Sequence, residues 1–384
     1  MPMPVGQLQN PIFRDQRVEE LNLATFYPAA LTEHNLGQAM VLPMPENAPA
    51  RVFGVPRNIL VEYRMLTKPV TVVRDVSLIV ADKLQAASQE SSEKHRMVFT
   101  GMKGNGKSSL LLQAVEFARS NRWIIMYIPR AVDLVNSTTH YTYDLRTQTY
   151  LQPVFAYQTL QRFKTVNLSA LQSLTTEKVI EVENRSPVPV GTKLADLADI
   201  GLNDQAVAPT VLSALMEALG AQTQYPVLLA IDDFQALFTN TTYRDPHFAM
   251  LKSWHLSMPR LLMEYAGGEK TFARGAVLGA LSSTNTAFKL NAQLGHALKL
   301  QPWKKPSPYL KIPPEILRYT KGIERLRVPD RLQVNEAASI FEVWSKTKAL
   351  HTHADDGLFM AKYTEASGNA RDFVWKGLLA TLET

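Results

Sequence analysis

Arg96-Met-Val-Phe-Thr-Gly101-Met-Lys-Gly-Asn-Gly106-Lys107-Ser108-Ser109 runs directly into Leu110-Leu-Leu-Gln-Ala-Val-Glu-Phe-Ala118, and this junction decides the fold. A short apolar stretch ends where the glycines begin, and a helix-forming run starts where they stop. The pattern Gly101-x4-Gly106-Lys107-Ser108 is the full phosphate-binding motif in its required setting, strand before and helix after. The glycines let the backbone curl until several amide protons point at one phosphate, and the following helix directs its positive end at the same place. The candidate nucleotide-binding set is therefore Gly101, Met102, Lys103, Gly104, Asn105, Gly106, Lys107, Ser108 and Ser109. Lys107 supplies a point charge to the outer phosphates and the Ser108 hydroxyl a Mg²⁺ ligand.

Further apolar runs surround this junction. Trp123-Ile-Ile-Met-Tyr-Ile128 reads as a strand closed by Pro129, which has no amide proton to continue a ladder. Val227-Leu-Leu-Ala-Ile231 and Ala276-Val-Leu-Gly-Ala-Leu281 read as two more. Helices are predicted from Asp75 and over Ala208–Leu219, the latter stopped by Gly220. Continuous apolar strands alternating with helices predict a mostly parallel sheet covered on both faces. The strand at 227–231 delivers Asp232 and Asp233 to the carboxyl edge of that sheet. Asp232 is expected to hold a Mg²⁺-bound water, and Asp233 occupies the position of a catalytic carboxylate that polarises the attacking water. Thr284 and Asn285, after the strand at 276–281, are candidate sensors of the outer phosphate. Gly368-Asn369-Ala370-Arg371, ahead of the apolar run 373–379, places Arg371 at the mouth of a C-terminal helical unit, where it can act on the nucleotide.

Base identity is not written locally. The Asn-Lys-x-Asp string by which small GTPases read guanine is absent, and Thr192-Lys193-Leu194-Ala195-Asp196 is one residue too long. Adenine and guanine both remain open.

With 384 residues the chain is long enough for a large core. Residues 1–55, rich in proline, read as an extended N-terminal arm. Residues 56–300 form the nucleotide-binding α/β domain, with a polar, irregular insertion at about 130–190. Residues 301–384 form a basic linker and a small C-terminal helical subdomain. The absence of cysteine excludes disulfides, thiolate metal sites and a cysteine nucleophile. No window approaches the 18 continuous apolar residues of a membrane span, and the N-terminal residues show neither a secretory nor a transit pattern. The formal charge of +6 is unevenly spread: 289–348 holds 12 Lys plus Arg against 5 Asp plus Glu. Within it Lys304, Lys305, Lys311, Arg318, Lys321, Arg325, Arg327 and Arg331 alternate with aromatics and prolines. Such residues suit an RNA backbone and unpaired bases.

Gly101-Met-Lys-Gly-Asn-Gly-Lys-Ser-Ser, Pro226-Val-Leu-Leu-Ala-Ile-Asp-Asp-Phe-Gln-Ala-Leu-Phe and Ser367-Gly-Asn-Ala-Arg occur in this order, and together the chain resembles the death-associated protein 3 family. The likeness covers roughly residues 55–380 and looks like that of a fungal member. It implies a P-loop NTPase fold with an AAA+-like parallel sheet, bound GTP or GDP (ATP remaining open) with Mg²⁺, and a location on the mitochondrial ribosome's small subunit. It also implies contacts with small-subunit rRNA, with neighbouring ribosomal proteins and with the large subunit through an intersubunit bridge. AAA+ proteins often carry Asp-Glu where this chain has Asp232-Asp233, and the shorter aspartate argues against efficient hydrolysis. The expected function is thus a structural ribosomal protein that keeps its nucleotide. The competing expectation is an active ATPase or GTPase switch in ribosome assembly or signalling.

Overall fold

The computed structural model describes residues 22–182, 186–283, 285–300, 309, 311–350 and 352–382. Strand β1 (Ala39–Val41) pairs antiparallel with β2 (Val70–Val72), and between them lie the short helix α1 (Pro49–Val52) and α2 (Arg57–Met65). The segment expected to be an arm is thus folded from residue 22 onward: Phe26, Met40 and Leu42 are buried with Val73. Its prolines start short helices, where a missing amide proton costs nothing.

Helix α3 (Asp75–Ala87) leads to β3 (Arg96–Thr100), then α4 (Lys107–Ser120) and β4 (Ile124–Ile128). Among the described residues the insertion that follows carries regular elements, where its composition read as irregular. It holds the hairpin β5 (Thr142–Asp144) and β6 (Thr149–Leu151) and the long helix α5 (Pro153–Ser173). Helix α5 buries Ala156, Leu160, Phe163 and Leu171 on one stripe. Two polar residues in the same stripe, Thr159 and Asn167, disguise the helical period in the sequence.

Helices α6 (Leu194–Asn203) and α7 (Ala208–Ala221) pack beside α5, and β7 (Val227–Ile231) follows. Gly220 lies inside α7 rather than ending it. A Cβ there would come within 2.9 Å of the Thr271 carbonyl, so the glycine serves close packing, not a left-handed cap. A second hairpin, β8 (Asn240–Arg244) and β9 (Met250–Lys252), precedes α8 (Ser257–Ala266) and β10 (Gly275–Ala280). Next come α9 (Ala292–Ala297), α10 (Pro314–Thr320) and β11 (Glu324–Arg327). The C-terminal unit is helical: α11 (Val334–Lys346), α12 (Asp356–Glu365), and α13 (Ala370–Asp372), which runs on into a wider turn over Phe373–Leu378. It has its own core around Trp344, Phe359, Phe373 and Leu378.

The central sheet has five strands in the order β11-β3-β10-β7-β4, every pairing parallel. Strands β3, β4, β7 and β10 are buried at every residue, which is why they read as unbroken apolar runs. Strand β3 is separated from β7 by β10, while the chain leaving β3 crosses to β4 at the far edge. The crevice beyond the carboxyl ends of β3, β10 and β7 is therefore a topological switch point, where open α/β sheets bind ligands. The register keeps these ends level: Phe99 pairs with Ala280, and Gly279 with Ile231. No helix among the described residues is long and apolar enough to cross a membrane.

Candidate functional site

The loop 101–106 leaves β3 with three left-handed glycines, Gly101, Gly104 and Gly106, at φ of 139°, 83° and 91°. Two of them are also required by proximity. A Cβ on Gly101 would lie 2.3 Å from Asn105 Nδ2, and one on Gly104 would lie 2.7 Å from Arg371 Cβ. The loop turns directly into α4, so the amides of Lys107, Ser108 and Ser109 belong to the first helical turn and lack partners within the helix. The Lys107 ammonium is curled into the loop, donating to Met102 O at 2.6 Å, Asn105 Oδ1 at 2.8 Å and Gly101 O at 3.2 Å. Burial pushes its pKa down to about 8, with Asp232 and Asp330 pulling the other way.

Across the end of β10, the Ser108 hydroxyl lies within reach of the Asp232 carboxylate and favours its charged form. Asp232 is almost fully buried and also accepts the Asp233 amide at 2.8 Å. Burial first, and the charge of Asp233 second, raise its pKa well above the carboxylate range. Asp233 adopts a left-handed φ of 55°, which aspartate tolerates better than most residues. Its carboxyl, also raised by burial, is bonded by Ser282 at the end of β10 and lies in the field of Arg130. The buried Tyr127 hydroxyl nearby has no hydrogen-bond partner among the described residues.

The C-terminal unit sits on the outside of the loop. Arg371 N donates to Gly104 O at 2.9 Å, and Asn369 Nδ2 to Lys103 O at 2.8 Å. Asp330 accepts the Met102 amide at 2.9 Å, and Asn105 Nδ2 donates to Val328 O at 3.0 Å. Arg74 ties the parts together. It donates to Asn105 O at 2.8 Å, to Arg331 O at 3.1 Å and to the buried Glu336 carboxylate at 3.1 Å. Four loop residues are thus pinned from outside, leaving the inner, amide-lined side to face the crevice.

Of the residues singled out from sequence, Gly101 through Ser109, Asp232, Asp233 and Arg371 converge on this one place. Thr284 lies outside the described residues, and Asn285 closes a local turn by accepting the Ala287 amide. Ser282, two residues earlier, is the polar group that reaches Asp233. Arg74, Asp330 and Ser282 carried no local signal, since each acts through a partner remote in sequence. In the basic block Lys304 and Lys305 also lie outside the described residues. Lys311, Arg318, Lys321, Arg325, Arg327 and Arg331 are all exposed. Arg318 is engaged with Glu269, Arg327 with Asp330 at 2.7 Å, and Arg325 with Lys299 O at 2.8 Å.

Fold and site together define an α/β protein whose five-stranded parallel sheet carries a glycine loop on one strand and a carboxylate pair two strands away, with a helical unit docked on the loop. Residues 71–375 match the family described as mitochondrial ribosomal death-associated protein 3. The chain belongs to this family and is mitochondrial. It is 27% identical over 318 residues to small ribosomal subunit protein mS29 of Neurospora crassa, covering 80% of this chain and 67% of that protein. The mS29 proteins of Schizosaccharomyces pombe and mouse are 28% and 24% identical, over 60% and 71% of this chain. The matched region spans 49% of the fission-yeast protein and 70% of the mouse one.

Proposed function

We propose that this chain is a structural component of the mitochondrial small ribosomal subunit that holds a purine nucleotide with Mg²⁺. The observation that carries the nucleotide reading is the Ser108–Asp232 contact beside Lys107 and the glycine loop. It brings a hydroxyl, a carboxylate, an ammonium and free helix-end amides to one crevice. The donor set suits the ligand. A buried carboxyl, a half-buried one beside it and an orphaned buried hydroxyl favour a cation, yet no group of three or more His, Cys, Asp or Glu is clustered for a metal among the described residues. A Mg²⁺ arriving with phosphates, held by Ser108 and Asp232, satisfies both facts, and its chemistry is to neutralise charge between phosphate oxygens. Lys107 would leave the loop carbonyls for the phosphates. The exposed basic residues at 311–331 support contact with rRNA through phosphates, and the relatives' names support ribosomal proteins as neighbours.

The site is suited to holding more than to turnover. Hydrolysis needs the attacking water, the charge stabiliser and the metal placed together. Asp233 is the carboxyl nearest that role, but it is already bonded by Ser282, and it is one methylene shorter than the glutamate that AAA+ proteins often carry there. The C-terminal helical unit is hydrogen-bonded to the loop at Lys103 and Gly104, so it does not need a cycle to close. Single-turnover hydrolysis on assembled small subunits, beside an Asp233→Asn variant, tests this. Rates far below one per second, equal in both, are expected. A rate near one per second that collapses in the variant would establish the switch instead.

A further inference from the structure

Strand β4 is buried along its whole length, and of its five residues only Tyr127 carries a hydroxyl. The register with β7 decides which way that side chain faces. Tyr127 pairs with Ala230, and residues paired across parallel strands share a face of the sheet. The ladder runs one residue past β7, the Asp232 amide donating to Ile128 O at 2.8 Å. Asp232 lies two residues beyond Ala230, so strand alternation puts it on the same face, about 7 Å further along. Helix α4 covers this face, since Ser108 in its first turn lies within reach of Asp232. Phe53, just after α1, packs edge-on against the Tyr127 ring at 6.3 Å. The tyrosine hydroxyl lies in the field of Asp232 first, then of Tyr63 and Asp233.

That hydroxyl is fully buried, yet it has no hydrogen-bond partner among the described residues. Phenylalanine would fill the same space without desolvating a polar atom. Buried polar groups are nearly always paired, so the partner here is a group that the described chain does not itself supply. The place for it is the carboxyl end of β7, where Ser108 and Asp232 suit Mg²⁺. This ion is bound through few protein groups and keeps several of its waters. Those waters need acceptors for their protons, and the residues that accept them orient the ion from outside its own shell. A tyrosine oxygen accepts as well as donates. We propose that Tyr127 is a positioning residue for the Mg²⁺ of the bound nucleotide, its hydroxyl accepting from a metal-bound water beside Asp232. The assignment rests on the nucleotide reading of the glycine loop and adds a residue from a strand that carries no motif.

The test is titration of GDP and of ADP onto the full chain and its Tyr127→Phe variant, each in Mg²⁺ and in EDTA. For whichever nucleotide binds more tightly, the readout is the ratio of the two affinities, because general damage to the fold weakens both alike. Mg²⁺ should tighten binding to the parent. Tyr127→Phe should lower that gain about tenfold, the scale on which lost outer partners of a metal are felt, and leave the EDTA affinity unchanged. Urea unfolding of the nucleotide-free chains gives a second reading. Removing an orphaned hydroxyl should leave the variant as stable as the parent or more so. A variant that keeps the parent's Mg²⁺ gain, or a parent whose binding ignores Mg²⁺, overturns the role of Tyr127 and leaves the phosphate site standing. So does a variant clearly less stable without nucleotide, since its hydroxyl would then be paired inside the fold. A parent that binds neither nucleotide overturns both readings.

Discussion

Glu62, on α2, accepts the Trp375 indole N–H at 2.7 Å and makes a prediction about stability, because burial raises its pKa from 4.5 to about 7, against the smaller opposing effects of the Trp375 bond and Arg371. Between these values the folded chain holds a proton that the unfolded chain has released. Stability should therefore fall as pH rises from about 4.5 to 7, and this contribution should be level above that range. The expected size is about 1–2 kcal/mol, less than the full shift implies, since the group is only half-buried. Denaturant unfolding of the parent and of Glu62→Gln at several pH values measures it: the variant should gain stability relative to the parent by that amount as pH rises across the window. A pH-independent difference would contradict the burial of the charge. Residues of this kind were not legible in the sequence. The glycine loop and Asp232-Asp233 were, because their chemistry lies in consecutive residues flanked by apolar runs. Glu62 meets Trp375 across 313 positions and Arg74 meets Glu336 across 262, so neither pairing leaves a local trace.

Among the elements, the strands announced themselves through unbroken burial, and α5 did not. The reason is Asn167, which interrupts both the apolar stripe and the helix geometry, with φ −110° and ψ 17°. Its side chain accepts the Ile125 amide at 2.8 Å and donates to Ile125 O at 3.0 Å and Phe163 O at 2.8 Å. Strand β4 is the edge of the sheet, and an open edge is a template for unwanted pairing. Asn167 closes it with the two groups a neighbouring strand would have offered. Asn167→Leu keeps the side-chain volume and removes both bonds, stranding a buried N–H and C=O. The expected loss is about 2–4 kcal/mol, the desolvation cost of two orphaned groups. Unfolding in urea checks it, and a loss below about 0.5 kcal/mol would show that α5 covers the edge without the asparagine. The same long insertion that looked irregular is thus the cover of the sheet's open side.

At the scale of the whole molecule, the loop, the sheet edge and the C-terminal unit form one connected body. Arg74, Asp330, Asn369 and Arg371 hold the loop from outside, and a nucleotide bound on the inside would complete the enclosure. A ligand that binds only the folded state stabilises it by RT ln(1 + [L]/Kd), about 4 kcal/mol at a thousandfold excess over Kd. That use needs no turnover and suits a protein that is a fixed part of a ribosome. Helix α2 and the C-terminal unit close on each other through Glu62 and Trp375. The measurement that tests this most directly is the nucleotide content of purified mitochondrial small subunits, extracted and identified by mass, with the parent chain and with Lys107→Ala. Removing a charged partner of a partly desolvated phosphate costs several kcal/mol. The account predicts purine nucleotide stoichiometric with the parent chain and depleted at least tenfold in Lys107→Ala particles that still contain the chain. Equal nucleotide in the two particles, or none in the parent, would contradict it.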